Sequence, residues 1–282
     1  MVKCLGIFRE LQNSPNRQTD DALILKAVME QLEILKIETS LLEPGDADSQ
    51  DIGAWDMIIP MCESYPRLMR LKALGDSSGC LIINRPRSVL SCYRTRMLEA
   101  FLRTPGLRFP ETEIHPVSDS ISIAAPPFSS SGLWVKRGDV HNTCNHDVVF
   151  ARTFNEVEAV RKDFLCREIT SLLLQKHIDG DLIKFYGVGP GQWFTWFYHD
   201  AESARKLPLD LEGLALQAEK AARAVGLEIF GGDALVSAEG PIYIIDINSW
   251  PSFARVRAEA SVQIARHLHL KLRAIQDSRS RP

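Results

Sequence analysis

Three oxygen-bearing side chains, Asp233, Asp246 and Asn248, stand inside otherwise apolar runs between Ile229 and Phe253. Asp246 and Asn248 are two residues apart, so on a strand they point to one face. The runs Asp233–Val236 and Ile242–Ile247 flank a Ser-Ala-Glu-Gly turn, which is a hairpin signal. Closure at Ala238–Gly240 would bring Asp233 and Asp246 onto adjacent strands near the open end. Two carboxylates and an amide converging there form a hard oxygen site, which Mg²⁺ takes while keeping water and substrate phosphate as its other ligands. A charge in a β run is costly unless it is paired, so backbone N–H groups or an arginine are the competing partners for any one of these acids.

Basic residues complete an anion-binding inventory. Lys136 ends a strand-like run, Leu133–Lys136, ahead of the polar loop 138–147, which carries His141 and His146. A lysine beside free backbone N–H groups can hold phosphate. Lys184 lies between Ile183 and Phe185 in a second strand-like run, where an interior ammonium needs an anion on its face. Residues 84–103 read as one helical segment whose apolar face is Val89, Leu90, Tyr93, Met97, Leu98 and Phe101; Arg94 and Arg96 fall off it. Arg255 and Arg257 stand at the start of the last helix. An extended segment, Gln175–Ile178, has free backbone groups for a base edge. Lysines, Mg²⁺ and a hinge strand suit a nucleoside triphosphate, and phosphoryl transfer asks a protein mainly for positioning and charge stabilisation.

The elements that must position these residues alternate strand and helix at the start. Lys3–Phe8, Ile37–Leu42, Asp56–Met61 and Cys80–Asn84 read as strands, with helical periodicity after Thr19 and over Ser64–Leu74. That pattern predicts a parallel α/β lobe, and its first loop, Arg9–Gln18, lies where open α/β sheets bind ligands. No G-x-G-x-x-G follows the first strand. Asn155 and Glu158 predict a capping box, and Gly226 a helix C-cap. A last helix is expected over Ser252–His269.

The 282 residues carry a net charge of −3, so the balance gives no footprint for nucleic acid. No apolar run approaches the roughly 20 residues of a membrane span. The six cysteines show no tight spacing, and no signal peptide is evident, so reduced thiols in the cytoplasm are expected.

The motifs Gln175-Lys-His-Ile178 with Gly180 and Lys184, Gly232-Asp233, and Asp246-Ile-Asn248 resemble the ATP-grasp superfamily, and the resemblance in element order covers nearly the whole chain. It implies an α/β ATP-grasp fold: an N-terminal parallel lobe over 1–86, a lid lobe over 87–176 and a C-terminal lobe with the Mg²⁺ site over 177–282. It implies ATP as cofactor, with Lys136 on the phosphates, Gln175, His177 and Ile178 around adenine, and Asp233, Asp246 and Asn248 on Mg²⁺. Arg96 is the basic residue nearest the phosphate contact that family members often place at the entry to the lid. Asp-x-Asn at the metal motif looks like the inositol-phosphate kinases of the superfamily, by which His141 would approach the acceptor's phosphates; Lys184, His141, Arg255 and Arg257 are the basic groups that could face an anionic acceptor, with Lys184 and His141 the catalytic candidates. The N-terminal lobe looks more like ligases of the glutathione-synthetase or ribosomal-modification type. The expectation is phosphoryl transfer to a small anionic acceptor; the alternative is a carboxylate–amine ligase working through an acyl phosphate, and a third reading is a nucleotide-binding module without turnover.

Overall fold

The computed structural model describes residues 2–13, 18–119, 121, 132–140 and 144–279. Among the described residues there are three four-stranded sheets. The first is built from β1 (Lys3–Ile7), β2 (Glu38–Leu42), β3 (Met57–Pro60) and β4 (Leu81–Ile82), in the order β2-β1-β3-β4 and all parallel. Helices α1 (Gln18–Ile34), α2 (Pro44–Ser49) and α3 (Tyr65–Ser78) connect the strands. Leu5, Ile7, Met57, Ile58 and Ile59 are fully buried, as expected of parallel strands covered on both faces. Helix α2 carries no apolar period and is invisible in the sequence pattern.

The segment after β4 is two helices rather than one: α4 (Pro86–Leu90) and α5 (Arg94–Leu102). Tyr93 takes extended backbone angles between them and restarts the helix at Arg94. Cys92, Met97 and Phe101 pack into the core of the third sheet.

The second sheet has the order β5-β8-β6-β7, all antiparallel, from β5 (Thr112–Pro116), β6 (Leu133–Arg137), β7 (Val148–Ala151) and β8 (Ser171–Lys176). Its Leu133, Val135, Ala151, Leu172 and Leu174 face α6 (Phe154–Cys166). The capping box of α6 forms at Thr153 and Glu156 rather than at Asn155 and Glu158. Thr153 Oγ1 accepts from Glu156 N at 3.3 Å, and Glu156 Oε2 accepts from Thr153 N at 3.0 Å. This start turns Val157 and Phe164 into the core, where both are fully buried.

The third sheet is antiparallel in the order β10-β9-β11-β12, from β9 (Gly180–Val188), β10 (Trp193–Tyr198), β11 (Ile229–Ser237) and β12 (Ile242–Ser249). The single kinked turn α7 (Gly189–Gln192) joins β9 to β10, and α8 (Leu211–Val225) covers one face. Gly226 closes α8 with φ 77°, the left-handed C-cap that its sequence position predicts. The final helix, α9 (Arg257–Arg279), packs on α1 in the first lobe's core. It begins later than the sequence suggests because Trp250 (φ 45°) and Phe253 (φ 48°) hold the chain out of helix. Among the described residues no helix is long and apolar enough to cross a membrane.

Candidate active site

The faces of the second and third sheets that turn away from α6 and α8 meet at a cleft: Lys136 of the one feels Asp246 and Asp233 of the other, while Tyr186 and Val188 farther along the third sheet pack into the first lobe's core. On the third sheet, Ile183, Phe185, Phe230, Ala234, Ile242, Ile244 and Ile247 face the α8 core. Lys184 and Asp233, on alternate positions, therefore face away from it. The register runs Phe197–Lys184–Asp233–Asp246 across four strands. Asp246 reaches this face only through an irregularity in β12: Asp233 pairs with Asp246 while Ala234 pairs with Ile244, leaving Ile245 as an extra residue. Strict alternation would have put Asp246 on the same side as buried Ile242 and Ile244. A β-bulge inverts the phase, a device that commonly re-aims a side chain.

The row is internally paired. Lys184 Nζ donates to Asp233 Oδ1 at 2.7 Å. Asp246 Oδ1 accepts from Ile247 N at 2.9 Å, and Asp246 Oδ2 accepts from Asn248 Nδ2 at 3.2 Å. The two acids and the amide that the sequence singles out thus stand together, with Asn248 opposite Gly231. Their oxygens are hard donors on one face, and this donor chemistry fits Mg²⁺. Gly232 lets the strands close here: a Cβ at that position would meet the Asp246 carbonyl oxygen at 2.2 Å.

On the second sheet the uncovered face carries Trp134, Lys136, Phe150, Leu173 and Gln175, alternate to the α6-facing set. Buried Lys136 donates from Nζ to Gln175 Oε1 at 2.6 Å, and Gln175 Nε2 donates to Thr112 Oγ1 at 3.0 Å. Burial, with help from the Arg94 charge, pushes the Lys136 ammonium down to about 8; Asp246 and Asp233 pull the other way. Gln175 is thereby engaged with Lys136. His177 sits in an aromatic group: its Nδ1 accepts from Trp134 Nε1 at 3.2 Å, and the Phe150 ring packs edge-on at 5.1 Å. Half-buried Ile178 follows in the connection from β8 to β9.

The sequence overlooked Arg94. It is buried, donates from Nη1 to the Arg137 carbonyl at 2.9 Å, and feels Asp246 and Asp147; burial lowers its affinity for its proton, and these acids oppose that. Arg96 is exposed and stacks over the Tyr93 ring at 5.9 Å. Ordinary helical spacing buries Arg94: it stands at i, i+3, i+4 and i+7 with buried Met97, Leu98 and Phe101, so it lies on the apolar face and not off it. That spacing, with Leu90 one turn earlier, was legible in the sequence. Three further positions were missed. Leu182, Leu235 and Tyr243 pair across three strands on the cleft face, all half-buried, one step along from the charged row. His141 lies outside the described residues.

Arg255 is exposed and stacks 4.4 Å over the Phe197 ring, at the end of the charged row. Arg257 is instead tied to Asp20, donating from Nη2 at 2.6 Å. A cavity of about 270 Å³ opens at the carboxyl end of β1, lined by Phe8, Arg9, Asp21, Lys26, Leu41 and Glu43.

No protein-family model matches the sequence, and no curated protein matches it. Solved structures do. The D-alanine–D-alanine ligase of Bacillus anthracis, in complex with ATP, superposes with a TM-score of 0.73 at 12% identity, covering 99% of this chain and all of the ligase. The D-alanine–D-alanine ligase of Coxiella burnetii gives 0.72 at 14% identity over 98% of both chains. A RimK-domain ATP-grasp protein of Sphaerobacter thermophilus gives 0.69 at 15% identity, covering 94% of this chain and 99% of that one. The chain therefore has the α/β ATP-grasp fold that its motifs led one to expect.

Proposed function

We propose that the chain binds Mg·ATP between its second and third sheets and uses it to activate a carboxylate as an acyl phosphate for attack by an amine. The observation that carries this reading is the placement of buried Lys136 and Arg94 across the cleft from the Lys184–Asp233–Asp246 row, all within one electrostatic neighbourhood. Cations on one wall and a carboxylate pair on the other are what a metal-bound polyphosphate requires.

Leu182, Leu235 and Tyr243 form an apolar floor roughly 7 Å along the strands from the charged row, as two residues of strand dictate. The adenine would lie there, with His177, Trp134 and Ile178 around it and the phosphates over Asp233, Asp246 and Asn248. Mg²⁺ held by Asp233, Asp246 and Asn248 would offset the phosphate charge and so ease attack at phosphorus. Lys136 and Arg94 would hold the phosphates from above, and Lys184 would stand by the oxygen that is transferred. In the first step a carboxylate oxygen attacks the γ-phosphorus and the bond to ADP breaks. In the second, the amine nitrogen attacks the acyl carbon, phosphate leaves, and the nitrogen loses a proton.

Two observations favour a ligase over a kinase. The similar solved structures include D-alanine–D-alanine ligases. The cavity at the end of β1 carries both signs of charge in Lys26 and Glu43, beyond the Arg9–Asp21 ion pair, which suits a zwitterionic amine better than a polyanion. The Asp-x-Asn spelling of the metal motif favours the second reading, phosphoryl transfer to a stable anionic acceptor. The test is product analysis with Mg·ATP and a small-metabolite extract, followed by phosphorus NMR and mass spectrometry. ADP, free phosphate and a new amide support the ligase. ADP with a stable phosphorylated metabolite supports the kinase, and unconsumed ATP overturns both.

A further inference from the structure

The metal strand ends where the sheet ends. β12 is an edge strand, so Asn248 is supported on one side only, by Gly231 of β11. The two residues that follow it are nevertheless held tightly. Ser249 Oγ accepts from Asn84 Nδ2 at 2.9 Å, and the Ser249 carbonyl accepts from Arg9 Nη2 at 3.3 Å. The Trp250 carbonyl accepts from the same nitrogen at 2.6 Å. Trp250 Nε1 donates to the Ile83 carbonyl at 3.2 Å, and Trp250 N donates to the Ile229 carbonyl at 3.3 Å. All but the last of these partners belong to the first lobe, from the chain just after β1 and β4. Trp250 is fully buried at φ 45°, a backbone state a bulky residue keeps only when its surroundings fix it.

Both clamping side chains are committed to this contact. Asn84 is fully buried. Its amide also donates to the Ile229 carbonyl at 2.6 Å, and its oxygen accepts from Glu228 N at 2.7 Å and Ile229 N at 3.0 Å. It therefore grips the base of β11 and the end of β12 at once. Arg9 faces Glu63 with one nitrogen and Asp21 with another at 3.3 Å, while the third takes both carbonyls. Its planar fork serves four groups that a point charge could not serve together.

We propose that Arg9 and Asn84 are positioning residues for Asn248, so that the first lobe, and not the hairpin alone, sets the geometry of the Mg²⁺ site. This rests on the reading of Asp233, Asp246 and Asn248 as metal ligands. Neither residue touches the metal; each fixes the backbone that carries a ligand, as groups behind metal ligands commonly do.

The test is calorimetric titration of the imido analogue of ATP into the full chain, once with Mg²⁺ and once with EDTA. The wild type should bind more tightly with Mg²⁺. In Arg9→Lys and Asn84→Ala that Mg²⁺-dependent gain should fall about 10- to 100-fold, with affinity in EDTA unchanged. Ser249→Ala, which deletes one contact and disturbs the fold least, should show a smaller loss of the same kind. Substituting Mn²⁺ and recording its electron paramagnetic resonance spectrum should show altered coordination in the same variants. An undiminished gain in Arg9→Lys and Ser249→Ala would overturn the proposal. Equal losses with Mg²⁺ and with EDTA would also overturn it, since they mark general structural damage. No Mg²⁺-dependent gain in the wild type would instead sink the metal assignment itself, before any variant is made.

Discussion

Lys184 Nζ and Asp233 Oδ1 are 2.7 Å apart on neighbouring strands, each about one-quarter exposed. The ammonium therefore occupies a carboxylate oxygen that a metal would need. On the proposed reading, loading Mg·ATP would exchange this partner for phosphate. Lys184→Met should raise Mn²⁺ affinity in the absence of nucleotide by about fivefold, the equivalent of a part-exposed ion pair of ~1 kcal/mol. The same change should lower turnover. Manganese titration followed by resonance would check the first, and ADP release the second. Weaker metal binding in the variant would mean that Lys184 supports the site rather than competing in it.

Asp246 has its oxygens turned to Ile247 N and Asn248 Nδ2, and it stands across from Asp233. Asp246→Ala should cost turnover about a hundredfold or more, as does loss of other groups that stabilise developing charge. The fold should survive, because the acid sits on the cleft face of an edge strand. Wild-type rates in the variant would remove Asp246 from the site.

Buried Lys136 carries a stability cost. Its folded value of about 8 lies below the ordinary 10.5 because the buried ammonium is poorly solvated, and Arg94 adds to this. Between pH 8 and 10.5 the unfolded chain binds more protons than the folded one, so stability rises with pH across that window. Below it the cost is fully present. Lys136→Met should thus stabilise the protein at pH 7 by on the order of 2–3 kcal/mol. That gain should disappear towards pH 10.5, and nucleotide affinity should fall. Thermal melts across pH and calorimetry with ATP test both halves. The wild type should also take up protons on binding ATP near pH 8, read as a dependence of the heat on buffer ionisation.

Arg94 and Arg96 separate the buried from the exposed arginine. Arg94→Gln should weaken ATP binding by about 1.5–3 kcal/mol, the range for a hydrogen bond to a charged group. Arg96→Gln should leave it unchanged. The reverse order would restore the assignment that the sequence suggests.

Much of this protein is determined locally. The alternating strands and helices of the first lobe follow from apolar periodicity, and Gly226 ends α8 because a left-handed C-cap needs no Cβ. The pairing of Asp233 with Asp246 follows from two β runs and a turn of the right length. Lys136 and Lys184 were visible as cations in apolar strands, where burial demands a partner. Other features depended on tertiary contact. The bulge at Ile245 decides that Asp246 faces the cleft and not the α8 core, and one extra residue in a strand leaves no mark in composition or period. The break before Arg94 arises where α5 docks on the third sheet, and no period in the sequence marks it. The clamp of Arg9 and Asn84 on Ser249 and Trp250 joins residues far apart in the chain. No local propensity encodes such a contact, because it exists only once separate lobes have packed and each buried polar group has found its partner.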